Sequence, residues 1–212
     1  MCCRYYMETS PELRPYIEAA NRSSLKDRLV SKLARPLVTA GEVRPTDLVP
    51  VIAPSSKSQE PTVFPMVWGF TIPRRQTSLF NARVESATEK PTFKESWEKR
   101  RCIVPASWYY EWEHLINAST GKSKTGDKYM IQPKGSNVIY LAGLYRLEEI
   151  AGIQVPVFTI LTREPSDEIR FIHDRMPVML PKEYIREWVN PNGKPEEIIR
   201  AAQTEMVFEV AS

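Results

Sequence analysis

"RCIVPASWYYEWE" (residues 101–113) is the stretch on which the fold turns. An apolar run ends at Ala106, and after Ser107 an aromatic run begins, so two strands meet at a short break. The same texture recurs along the chain. "DLVPVIA" (47–53), "VFPMVWGF" (63–70), "KYMIQ" (128–132), "NVIYLAGLYR" (137–146) and "VPVFTILTR" (155–163) all read as strands, separated by Pro, Gly, Ser or Lys-rich turns. "EMVFEV" (205–210) reads as a last strand. These runs lie too close together for alternating βαβ units, so the sheet is expected to be curved and mainly antiparallel.

Helical signals frame the strands. Thr9 or Ser10 followed by Pro11 and Glu12 marks a helix start, and Leu13, Ile17 and Ala20, then Leu25, Leu29 and Leu33, recur at helical spacing. Two helices are expected over most of 11–35. "FKESWEKRR" (93–101) predicts a short helix between strands, and "SDEIRFIH" (166–173), "PKEYIREWV" (181–189) and "PEEIIRAAQ" (195–203) each open on a helix-start signal. The polar stretch 114–128 is expected to be a mobile hairpin connection, and its sequon at Asn117 is read as idle. The expectation is an α+β fold, one domain over 1–212, with short flanking helices.

Composition narrows the function. The 212 residues carry a formal charge of only +3, so an anionic partner must be met by a local patch. Such a patch is visible: residues 70–101 hold eight basic side chains (Arg74, Arg75, Arg83, Lys90, Lys94, Lys99, Arg100, Arg101) against four acids (Glu85, Glu89, Glu95, Glu98), with Trp68 and Phe70 just upstream. Arginine with aromatics suits a single-stranded nucleic-acid groove, while a solvated helix face explains 94–101 equally well. Three cysteines without a C-x-x-C spacing form neither a disulfide framework nor a zinc site, so no metal or cofactor is expected. The apolar run "VIYLAGLY" (138–145) is too short to span a bilayer, and Arg4 and Glu8 interrupt the start of the chain as a signal peptide. A soluble cytoplasmic protein with no membrane partner is the expectation.

Four places carry usable chemistry. In "MCCRYY" (1–6), removal of Met1 leaves Cys2 with a free α-amine beside its own thiol. The amine titrates at about 7.7–8.0 and the thiol at about 8.5, so both are within reach of activation near neutrality. A 1,2-aminothiol condenses with an aldehyde to an imine, which the thiol closes to a thiazolidine ring. In "FNARVES" (80–86), Asn81, Arg83 and Glu85 share one face if the segment is a strand, as a polar wall or a solvated edge. Glu111, between Tyr110 and Trp112, is a desolvated general acid/base on one reading and a water-facing residue on the other. His173 in "FIHDRMPVML" (171–180) ends an amphipathic turn beside Asp174 and Arg175, whereas His114 lies at the edge of the polar loop.

Taken in order, "MCCRYY", "VWGF", "NARVES", "RCIVPASWYYEW", "AGLY", "FTILT" and "IHDRMPVML" resemble the SOS-response-associated peptidase family of abasic-site processing proteins, from residue 2 to about 189. The resemblance implies a barrel-like sheet, a monomer that is nucleoid-associated when on DNA, binding of single-stranded DNA, and covalent trapping of abasic sites through the N-terminal cysteine. It implies Cys2 as nucleophile, Asn81 as the residue positioning the terminus, Glu111 as acid/base and His173 as partner in ring opening. Arg4, Arg83 and Arg175 would bind phosphate and Trp68 would touch the DNA beside the lesion. Two departures stand out: Cys3 replaces the family's glycine, and the family's N-x-A-P segment is not evident in "GEVRPTDLVPVIAP". Two rivals remain, an N-terminal-cysteine amidohydrolase or peptidase and a non-catalytic single-stranded DNA-binding module.

Overall fold

The computed structural model describes residues 2–72, 77–116 and 123–211. A strand that the sequence reading left unassigned, β1 (Arg4–Met7), opens the fold. Helices α1 (Arg14–Asn21) and α2 (Lys26–Leu33) follow. Helix α1 begins later than the Pro11 signal suggests. Ser10 accepts the Leu13 N–H on its Oγ at 3.2 Å, a turn intervenes, and Pro15 takes the first helical turn.

Next come β2 (Gly41–Val43), β3 (Leu48–Pro54), β4 (Pro61–Trp68), β5 (Phe70–Thr71), β6 (Ser78–Leu79) and β7 (Asn81–Arg83). The chain then coils into α3 (Val84–Ala87) and α4 (Pro91–Lys99). "FNARVES" is therefore a strand only to Arg83, and Glu85 belongs to a helix rather than to the face of Asn81. Strands β8 (Arg101–Ala106), β9 (Trp108–Ile116), β10 (Ser123–Pro133), β11 (Ile139–Ile150) and β12 (Ile153–Arg163) carry most of the sheet. The expected connection at 114–128 is largely strand, since β9 and β10 run into it; residues 117–122, with Asn117, lie outside the described residues.

The end of the chain holds β13 (Met176–Pro177), α5 (Ile185–Val189), α6 (Pro195–Ile199) and β14 (Met206–Val210). Its helices are shorter than their start signals suggest. Helix α5 stops because Asn190 precedes Pro191, which holds Asn190 extended (φ −65°, ψ 118°).

Strands β11, β8, β3, β4 and β12 follow one another in hydrogen-bonded order, and β11 also pairs β12, so the five close into a barrel. Gly143 lies in β11 between β8 and β12. A Cβ there would meet the Thr159 carbonyl oxygen at 2.7 Å and Cys102 Sγ at 3.1 Å, which explains glycine at the seam. A second sheet, in the order β14-β10-β9-β1-β2, is wholly antiparallel. Together they give the α+β, mainly antiparallel, barrel-based fold expected from sequence.

Two apolar clusters fill the molecule, and β3 divides its side chains between them. Leu48 and Ile52 face Leu13, Leu29 and Trp188 on the helical side, whereas Val49, Val51 and Ala53 face Tyr5, Trp68, Tyr109 and Phe158. The second cluster joins side chains of the barrel strands to those of the second sheet, and Cys2 is part of it.

One edge of β12 positions the site. Along it β4 pairs in parallel (Val157↔Val67, Phe158↔Trp68), and β7 then takes over (Ile160↔Asn81, Thr162↔Arg83). Between them Gly69, at φ +128°, donates its N–H to the Phe158 carbonyl at 2.7 Å. A side chain there would strike Phe80 at 2.9 Å, so glycine both makes the turn and leaves room for the ring.

Candidate active site

Strand β1 lies against β9 with Arg4 opposite Tyr110 and Tyr5 opposite Tyr109, a register that brings the start of the chain beside Glu111. Cys2 is fully buried, its thiol 3.7 Å from the Arg4 carbonyl oxygen. Burial pushes the thiol well above its ordinary pKa, and the Glu111 carboxylate adds to the rise. Asn81 reaches across from β7 and donates its amide N–H to the Cys2 carbonyl at 2.9 Å. Arg4 donates to the Cys3 carbonyl at 2.7 Å and pairs through Nε with Glu42 at 3.2 Å.

Of the two readings of Glu111, the desolvated one matches the structure. Along β9, Tyr109 and Glu111 point inward while Trp108, Tyr110 and Trp112 are half-exposed on the other face. Glu111 is only 4% exposed, and burial raises its pKa. Its Oε1 is 3.4 Å from the Trp112 N–H. The hydroxyls of Tyr5 and Tyr109 are buried around Cys2 with no hydrogen-bond partner among the described residues.

The far end of β9 brings in His173. The His114 N–H donates to the Ile172 carbonyl at 3.0 Å, which draws residues 171–175 alongside, and the two histidine rings sit 4.3 Å apart. His173 is nearly buried, and that burial lowers its pKa to about 4, leaving the ring neutral near pH 7. Its Nδ1 is 2.7 Å from Asp174 Oδ1 and 3.0 Å from the Arg175 N–H. Donation to Asp174 leaves Nε2 as a base; acceptance from Arg175 places the proton on Nε2. The charge of Asp174 acts on both Glu111 and His173.

Arg83, at the end of β7, is exposed and borders a cleft of 610 Å³ shared with His114, Arg170, Phe171, His173 and Arg175. Arg175 enters the cleft already engaged. Its guanidinium holds both Glu85 oxygens (2.9 and 2.7 Å) and the Thr162 carbonyl (2.7 Å). Glu85 is therefore the clamp that sequence reasoning missed. Its spacing from Arg175 gives no local signal.

Two other expectations change. Trp68 is a core residue: it is fully buried, donates Nε1–H to the Phe80 carbonyl at 2.9 Å and stacks on Phe158 (centroids 6.1 Å, 10° between planes). No face of it is open to a base. The basic run 70–101 also divides. Arg74 and Arg75 lie outside the described residues, Arg100 pairs with Glu95, and Arg101 is buried. Arg101 donates to the carbonyls of Trp188 (2.8 Å), Trp97 (2.6 Å) and Glu98 (2.9 Å), and to that of Asn190, tying β8 to α5.

Residues 1–210 match the SOS response associated peptidase (SRAP) family. The chain belongs to this family. Among SRAP relatives, the abasic site processing protein YoaM of Bacillus subtilis is 37% identical over 124 residues, covering 58% of this chain and 52% of YoaM. The abasic site processing protein YedK of Escherichia coli is 28% identical over 158 residues, 72% of this chain and 67% of YedK. Against the first relatives the matched part of the chain spans about half their length. A crystal structure of a protein from Bacteroides thetaiotaomicron shares the SRAP chain's fold, with a TM-score of 0.73 at 23% identity, over 100% of this chain and 92% of that one. Among the described residues no helix is long and apolar enough to cross a membrane, and no group of three or more His, Cys, Asp or Glu could hold a metal ion.

Proposed function

We propose that this SRAP chain repairs DNA by trapping abasic sites in single-stranded DNA on Cys2, once Met1 has been removed. The observation that carries the reading is the 2.9 Å bond from Asn81 to the Cys2 carbonyl. It fixes, from 79 positions away, the backbone of the one residue whose amine and thiol can act together.

An abasic deoxyribose is a masked aldehyde. His173, neutral near pH 7, takes the proton of the C1′ hydroxyl as the C1′–O4′ bond breaks and returns it to the ring oxygen, leaving the open-chain aldehyde. The Cys2 amine adds to the aldehyde carbon and passes one proton to its oxygen; Glu111, whose pKa burial raises, protonates that hydroxyl so that water leaves, and takes the remaining nitrogen proton back to give the imine. The Cys2 sulfur then bonds to the imine carbon, its proton passes to the nitrogen, and the thiazolidine closes. Protonation of the same linkage by Glu111 would start reversal and release. Exposed Arg83 is the phosphate ligand of this arrangement, Arg4, paired with Glu42, is a second, and Arg175 joins only on release from Glu85.

The buried thiol argues against the amidohydrolase or peptidase reading, because that chemistry attacks with a thiolate and burial at Cys2 opposes one. Amine-led attack needs no standing thiolate. Incubating the protein with a single-stranded oligonucleotide that carries one abasic site, followed by a denaturing gel, tests the reading. A stable shifted band that is lost in Cys2→Ala is expected. No covalent adduct, with Met1 shown by mass spectrometry to be absent, would overturn it, and salt-sensitive binding by wild type without any adduct would leave a binding module only.

A further inference from the structure

The outer sheet continues past Glu111 toward its edge. In the strand register Glu111 sits opposite Tyr129, and Tyr129 sits opposite Val210; one row over, Tyr109, Ile131 and Phe208 line up. Paired residues share a face, so Tyr129, Phe208 and Val210 stand on the same side of the sheet as the buried carboxylate. Phe208 and Val210 are 41% and 58% exposed. Onto this row comes Phe171, 49% exposed, its ring 5.6 Å from Tyr129 and 5.3 Å from Phe208, which are 5.8 Å from each other. Phe171 also lines the cleft of His173, two residues away. The result is an open aromatic ledge whose inner end is the wall of the candidate site.

We infer that the Phe171–Tyr129–Phe208 ledge is a nucleobase-stacking site that holds the nucleotide next to the lesion. The inference rests on the proposed function and extends it. An abasic sugar offers no base, so affinity for the damaged strand must come from its neighbours. β14 lies two strands from Glu111, roughly 10 Å at the spacing of a sheet. That is the reach of a neighbouring nucleotide rather than of the lesion itself. Arg83 and Arg170 flank the cleft at the inner end of the ledge, where a backbone phosphate would pass. Stacking on exposed rings is tolerant of sequence, which suits a protein that meets a lesion in any context.

The test uses single strands with 2-aminopurine beside a tetrahydrofuran, a non-reactive abasic analogue, and separately within an undamaged strand. Binding to the wild-type protein should quench the fluorophore. Phe171→Ala and Phe208→Ala should each relieve the quench and weaken binding roughly fivefold or more, the lower end of what a stacked base contributes. Phe171→Trp should restore both. Both phenylalanines are half-open to solvent, so the variants should fold, which thermal melts check. Strands whose nucleotides on either side of the lesion also lack bases should bind wild type and variants alike.

Equal affinity and equal quenching in wild type and the alanine variants would overturn the inference. So would a wild-type dimer that Phe208→Ala converts to monomer without changing DNA binding, since the ledge would then be covered by a second copy. Quenching that depends on the ledge in a protein that forms no crosslink would instead refute the covalent trap and leave the stacking site standing.

Discussion

Replacing Asn81 separates anchoring of the terminus from the chemistry at Cys2. Asn81→Ala removes the donor held 2.9 Å from the Cys2 carbonyl and leaves that carbonyl without its partner. Such a loss costs about 1–3 kcal/mol. If the whole loss falls on the placement of the amine in the transition state, crosslinking slows by roughly 5- to 150-fold. Asn81→Asp keeps the shape but turns two acceptor oxygens toward a carbonyl, so it should be slower still than alanine. Single-turnover crosslinking to an abasic oligonucleotide, quenched at timed points and resolved on a denaturing gel, gives both rates. Noncovalent affinity for a tetrahydrofuran strand should change far less than the rate. Wild-type crosslinking rates in Asn81→Ala, or an aspartate variant faster than alanine, would refute the anchoring argument.

His173 should shape stability in acid. Unfolded histidine titrates near 6.5 and His173 at about 4. Between those values the unfolded chain binds the extra proton, so stability rises with pH through this window and is lost as pH falls. The change is about 2–3 kcal/mol, and urea titrations at pH 7 and pH 4.5 should show it shrink in His173→Gln. Glu111 has the opposite sign. Its raised pKa means that the fold holds the proton, so its contribution fades as pH climbs above the ordinary glutamate range. Glu111→Gln should therefore melt higher than wild type at pH 7 while crosslinking more slowly. Glu85→Gln should free the Arg175 guanidinium and steepen the salt dependence of single-strand binding by about 0.7 in log–log slope, one phosphate's worth. Arg101→Met should lower stability by at least ~3 kcal/mol in urea denaturation, since four carbonyls lose a charged donor.

Most strands were legible because β-branched and aromatic runs survive as local pattern: "RCIVPA" and "VPVFTILTR" sit in β8 and β12 almost residue for residue. β1 was hidden because "RYYM" alternates half-buried and buried positions over only four residues. The turn from strand to helix at Arg83 was also hidden, since "NARVES" alternates as a strand would. At the site, Glu111 showed itself by its aromatic neighbours, but only the register of β9 decides which way it points. Trp68 misled because an aromatic beside a basic run suits both a DNA groove and a core, and burial alone separates the two. The Glu85 clamp and the His114–His173 pair join residues 90 and 59 positions apart, and no local period records them.

That long reach has a consequence in time. Cys2 is made roughly 170 residues before His173. Its anchor on Asn81, its wall at Glu111 and its partner in the 171–175 loop arrive in turn, and the parallel seam between β7 and β12 cannot close until residue 162 has been made. A nascent chain thus carries Cys2 long before the residues that hold it exist. The arrangement around Cys2 is complete only after residue 175 has been made.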